Sequence, residues 1–137
     1  MKRIAAAVLL LLAVPAGASA ASAAGAGGSA TTVRTQLMEW MVMPSKNSVP
    51  AGKVTFVAAN MGKVKHDLVV LKTKLAPSKL PMVGSKAKEV GLVGRTPVFG
   101  PEQTRRLTLT LTPGRYVLIC NVPAHYMAGM RVAFKVG

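Results

Sequence analysis

The stretch Cys120-Asn121-Val122-Pro123-Ala124-His125-Tyr126-Met127-Ala128-Gly129-Met130 decides how the rest of this chain is read. It holds the only cysteine, one of two histidines and a methionine, each five positions from the next. A thiolate, an imidazole and a thioether on one short loop are the soft and borderline donors that copper prefers. A lone cysteine has other readings: a buried small hydrophobe, an inter-chain disulfide or a free reactive thiol. None of these uses His125, whereas ligation uses both residues. A donor set that needs a second imidazole can take it only from His66, because the chain has no third histidine.

The segments flanking the loop read as strands. Arg115 to Cys120 places Tyr116, Leu118 and Cys120 on one face, and Met130 to Val136 places Met130, Val132, Phe134 and Val136 on one face. If both rows point inward, Cys120 ends one and Met130 begins the next, so the loop closes one end of a sandwich. Farther out, Val54 to Ala58 alternates in the same way, and Leu107, Leu109 and Leu111 alternate with threonines. Arg34 to Met43 reads as a strand ending at Pro44. His66 opens the apolar run Leu68 to Leu71, which reads as buried on both faces. Lys72 to Pro97, with Pro77, Pro81, Gly84, Gly91 and Gly94, is an irregular excursion with room for a short helix over Ser85 to Val90. No long amphipathic helical pattern appears. About seven strands with closely spaced turn signals predict an all-β Greek-key β-sandwich.

The run Tyr116-Val117-Leu118-Ile119-Cys120, followed by Asn-Val-Pro-Ala-His and Gly-Met, resembles the copper loop of the cupredoxins. Its spacing, with four residues between Cys and His and four between His and Met, is similar to the rusticyanin, auracyanin and sulfocyanin-like branch. Asn60-x-Gly62-x-x-x-His66 followed by Leu68-Val69-Val70 also matches the region of the family's first histidine. The resemblance implies a cupredoxin-like sandwich and a type 1 (blue) centre, with one Cu(I)/Cu(II) ion held by His66, Cys120, His125 and a weak axial Met130. Met127 competes for the axial place, but the family spacing and the inward row both favour Met130.

Two positions depart from the family pattern. Asp67 stands where Asn commonly follows the first histidine, and Ala124 stands where Gly commonly precedes the second. Asp67 can still accept an N–H from the loop near Asn121, so these two residues are expected behind the ligands, where such groups orient and tune a metal. If position 124 needs positive φ, alanine is strained there.

The implied function is single-electron transport, with the electron leaving at the edge of His125 through a small patch of Pro123, Ala124, Tyr126 and Met127. A periplasmic copper chaperone or buffer without a redox circuit is the alternative, since the chain has eight methionines. An enzyme with Cys120 as nucleophile and His125 as base is not expected: no oxyanion loop is recognisable, and Asp67 could orient the pair only if it points at His125. A second copper cluster would need further histidines.

The N-terminus carries an address. Lys2 and Arg3, the apolar run Ile4 to Val14 and the small residues around Ala18, Ala20 and Ala23 read as a secretory signal peptide over 1–20. Residues 21–32 read as a Gly/Ala/Ser-rich leader and 33–137 as one domain. Export to the periplasm or the outer face of the cytoplasmic membrane follows. A net charge of +14, from 18 Lys and Arg against four acids, calls for an acidic redox partner or an anionic membrane surface. Nucleic acid is not expected, because only 4% of residues are aromatic and the interleaved run of basic and aromatic residues typical of a single-strand binder is lacking. A monomer is expected.

Overall fold

Residues that alternate apolar and polar along the chain face a shared core in the computed structural model, which describes residues 28–137. Eleven strands are present among them: β1 (Thr31–Met38), β2 (Met41–Pro44), β3 (Ser48–Val49), β4 (Gly52–Asn60), β5 (Val69–Lys72), β6 (Met82–Val83), β7 (Lys86–Ala87), β8 (Leu92–Arg95), β9 (Thr104–Leu111), β10 (Gly114–Ile119) and β11 (Arg131–Val136). One short helix, α1 (His125–Ala128), lies between the last two strands, and a single 3₁₀ turn spans Pro77–Lys79. A four-stranded sheet in the order β2-β1-β4-β9 packs against a five-stranded sheet in the order β3-β11-β10-β5-β8, and β6-β7 form a separate hairpin. Two of the pairings, β1 with β4 and β11 with β3, are parallel.

The core follows the period-two pattern. Val54, Phe56 and Ala58 of β4 are fully buried while their neighbours are not. Leu107, Leu109 and Leu111 of β9 turn inward as their threonines face out, and Thr55 and Thr108 hydrogen-bond across the outer face at 2.8 Å. From the opposite sheet come Leu68, Val70, Tyr116, Leu118, Cys120, Met130, Phe134 and Val136. Phe56 and Phe134 meet with ring centroids 5.5 Å apart. Each large side chain buried in this way contributes about 1.5–3 kcal/mol relative to exposure.

The apolar run after His66 is buried on both faces, as its sequence requires. The far side of β5 and β10, comprising Val69, Leu71, Val117 and Ile119, lies under Leu80, Ala87 and Tyr126. The irregular excursion therefore acts as a cover for the second face of the five-stranded sheet.

Four expectations change. The strand expected over Arg34 to Met43 divides at Glu39-Trp40 into the antiparallel pair β1–β2. With the short pairs added, this raises the count above seven. The helix expected over Ser85 to Val90 is absent, because Lys86–Ala87 pairs with Met82–Val83. Ala87 instead turns its side chain into the small second core. Strand β1 begins at Thr31, so residues 31 and 32 of the expected leader belong to the sheet. The signal peptide and residues 21–27 of the leader lie outside the described residues.

Candidate metal centre

Cys120 follows directly on β10, with its side chain continuing the inward row, fully buried. The loop after it folds back on itself: Met130 O accepts the Cys120 N–H at 3.1 Å, and His125 O accepts the Met130 N–H at 3.1 Å. His125 opens the single turn of α1 and is 9% exposed. His66 arrives from the other side of the end of the sandwich. It is pinned by a two-bond bridge to Phe99, with N–H···O distances of 3.1 and 2.9 Å.

These elements bring three donor atoms together. His66 Nδ1 lies 3.2 Å from His125 Nδ1, and Cys120 Sγ lies 3.7 and 3.5 Å from the two nitrogens. All three residues are buried, and they form the one cluster of this kind among the described residues. A first-row metal with bonds of about 2.0 Å to nitrogen and 2.3 Å to sulfur spans a triangle with edges of about 3.3–3.8 Å. The donor set therefore fits a small ion at its centre. Met130 is fully buried beside Cys120 in the core, whereas Met127 is 60% exposed. Of the two candidate thioethers, only Met130 is on the buried side of the loop.

The electrostatics call for a cation. Burial pushes the Cys120 thiol up to about 12, against the weaker pull of the Asp67 N–H that faces Sγ at 3.4 Å. Burial, reinforced by the neighbouring His66, holds His125 below its ordinary value. Without a metal the site thus holds a neutral thiol and a neutral His125. A positive ion inside the triangle favours the thiolate outright.

Behind the ligands stand groups that sequence reasoning missed. Glu39, at the tip of the β1–β2 hairpin, reaches His66 Nε2 at 3.0 Å and also accepts the N–H groups of Lys63 and Val64. The Val64 N–H chiefly, with Lys63 and His66, holds Glu39 down at about 2. An ionised carboxylate can only accept, so His66 carries its proton on Nε2 and turns the Nδ1 lone pair toward Cys120. Gly62 makes this approach possible, because a Cβ there would overlap the Glu39 carboxylate. Trp40, the next residue on the tip, packs edge-on against the His125 ring with centroids 5.1 Å apart. A hairpin tip far upstream in sequence therefore touches both histidines.

Asp67 is fully buried and accepts the Asn121 N–H at 2.7 Å through one oxygen, while Arg95 donates to the other at 3.0 Å. Arg95 also grips Glu89 with two bonds of 2.9 Å, and Asn121 Nδ2 donates to Glu89 at 2.9 Å. Asp67 and Asn121 thus lie behind Cys120, and the guanidinium of Arg95 balances the buried carboxylate. Neither Arg95 nor Glu89 carries a motif by which sequence could have found it.

The expected exit patch needs one correction. Pro123, Ala124 and Met127 are exposed, but Tyr126 is buried. Its hydroxyl donates to Pro77 O at 2.6 Å and accepts the Leu80 N–H at 3.1 Å, so it staples the loop to the excursion beneath. Trp40, 46% exposed, takes its place beside His125. Ala124 does adopt positive φ, at 69°, and its N–H is bonded to Ser85 O at 2.9 Å.

Residues 28–137 match the family model described as copper binding proteins, plastocyanin/azurin family. The chain belongs to that family. Among solved structures, this cupredoxin is similar to dithionite-reduced auracyanin from Roseiflexus castenholzii, at 24% identity and a TM-score of 0.60, covering 80% of this chain and 99% of that one. It is also similar to auracyanin A from Chloroflexus aurantiacus, described as a "blue" copper protein, at 21% identity, a TM-score of 0.59 and coverage of 80% and 100%. Rusticyanin from Thiobacillus ferrooxidans aligns at 20% identity and a TM-score of 0.56, covering 80% and 79%. At these identities the neighbours establish the shared sandwich fold. No curated protein matches the chain. The family and the buried His66–Cys120–His125 triangle together make this cupredoxin a copper protein with a site for one ion.

Proposed function

We propose that this cupredoxin carries single electrons between redox partners outside the cytoplasm. The observation that carries the proposal is the closed triangle of His66, Cys120 and His125, braced from behind at every corner. Copper bound there supplies the one-electron couple. The chain's own work is to keep the donor atoms still. Glu39 fixes His66, the Asp67–Asn121 bond fixes the backbone after Cys120, and Trp40 fixes the ring of His125. Donors that do not move between oxidation states need little reorganisation, which favours rapid exchange. His66, Cys120 and Met130 have no exposure, so water is excluded, and the slightly exposed His125 is the shortest route out.

Burial also argues against hand-off as the main task, since a chaperone needs ligands that a recipient can reach. The apolar rim of Trp40, Pro123 and Met127 suits a small transient interface. The excess of positive charge selects an acidic partner, with complementary charge acting on the encounter rate more than on affinity. Export rests on the signal-like residues 1–20.

The test is to add Cu(II) to purified protein, then record the visible spectrum and a voltammogram. An intense thiolate-to-copper band with a reversible one-electron couple is expected. Cys120→Ser should abolish the band and Met127→Ala should leave it. Colourless, readily chelated copper with no reversible couple would overturn the electron-carrier reading.

A further inference from the structure

Three of the methionines outside the copper loop stand together. Met38 ends β1 and Met41 begins β2, and the two are directly paired across the hairpin. On the other side of β1 the parallel ladder pairs Leu37 with Asn60 and runs on through the Met61 N–H to Leu37 O at 2.8 Å. This sets Met61 beside Met38. The three methionines thus stand in one row across β2, β1 and the end of β4.

Alternation fixes the face they occupy. Their inward neighbours Leu37, Val42 and Asn60 are buried, so the methionines point away from the core. Met41 is 47% exposed and Met61 57% exposed, and Met38 between them is half-buried. Filling a core cannot be their role. Neighbouring strands lie about 4.8 Å apart, so two such steps separate Met41 from Met61. Methionine has three rotatable bonds, which lets the outer two sulfurs lean toward a point above Met38.

From these positions we infer that Met38, Met41 and Met61 form a second, surface metal site selective for Cu(I). An all-thioether donor set is soft and uncharged. It suits Cu(I) and offers little to Cu(II) or Zn(II), which favour imidazole, thiolate or carboxylate donors. The row also lies against the copper centre, because the residues joining Met38 to Met41 are Glu39 and Trp40, which contact His66 and His125. The site lies outside the buried triangle and does not depend on that triangle's role in electron transport.

The test is an anaerobic titration of the reduced, copper-loaded protein with Cu(I) against a chromophoric Cu(I) chelator. The wild-type chain should withdraw one further equivalent, and an equal excess of Zn(II) should not displace it. The M38L/M41L/M61L variant should withdraw none, while its visible band after reoxidation keeps full intensity and so reports an intact fold. M61L alone, altering an exposed residue past the end of β4, should weaken the second equivalent by more than about a hundredfold, beyond the roughly 10–100-fold that losing a mere supporting group costs. A wild-type chain that takes up only the first ion, or a triple variant that takes up the second unchanged, would overturn the site.

Discussion

Glu39 acts on the metal through a single hydrogen bond, and its charge matters as much as its geometry. In Glu39→Gln the amide oxygen can still accept the His66 Nε2–H, but the negative charge behind the imidazole is gone. Cu(II) loses more from this than Cu(I) does, so the reduction potential should rise. The rise is about 60 mV for each tenfold loss in Cu(II) affinity relative to Cu(I). Voltammetry of the variant checks this, and an unchanged or lowered potential would show that Glu39 only positions the ring. A second outcome follows from the ligands themselves. With the Cys120 thiol up at about 12 and His125 below its ordinary value, a metal entering at neutral pH must displace the proton on sulfur. Copper binding should release about one proton per ion, so affinity should climb with rising pH. Calorimetry in two buffers of different ionisation enthalpy measures that number, and a value near zero would mean the thiolate is already formed.

The elements that build the site do so from a distance. The β1–β2 hairpin ends in Glu39 and Trp40, and its tip rests on both histidines. The turn around Gly62 has to stay free of side chain for the carboxylate to arrive. Helix α1 is one turn long and cannot hold itself in place. Its anchor is Tyr126, whose hydroxyl ties it to Pro77 and Leu80. Tyr126→Phe removes the donor to Pro77 O and leaves the Leu80 N–H unpaired in a buried setting, a loss of about 1–3 kcal/mol. Chemical denaturation of the metal-free protein should show that loss while the copper-loaded form keeps its colour. Full stability in the variant would place the anchor elsewhere. At Ala124 two effects oppose each other: left-handed backbone costs an alanine about 1–2 kcal/mol. Against this, glycine in its place would give back roughly 0.4–1 kcal/mol through the unfolded chain.

Across the whole molecule the carboxylates are unevenly used. Of the four acids, Glu39, Asp67 and Glu89 all brace the copper centre, which leaves Glu102 as the only one elsewhere. The remaining surface is therefore almost purely basic. Electron exchange with an acidic partner should slow steeply as salt is raised, because exposed charges are screened beyond about 10 Å at 0.1 M. Stopped-flow rates over a range of ionic strength test this. A flat dependence would remove charge steering and leave the apolar rim of Trp40 and Met127 as the main recognition surface.

The chain's own pattern was enough for the inward strand rows, the sandwich class and the donors Cys120, His125 and His66. Alternation is a local property, and a chain with one cysteine and two histidines leaves little choice among donors. The Asp67–Asn121 bond was legible for a similar reason, since both residues adjoin ligands. Glu39, Trp40 and Arg95 were not legible. They lie 27, 85 and 28 positions from the ligand or carboxylate they serve, and only sheet register carries them there. Tyr126 was misread on the same ground, because one turn of helix, invisible in so short a segment, rotates it away from solvent and into the second core. Local sequence decided which atoms bind copper, while pairing between distant strands decided what stands behind them.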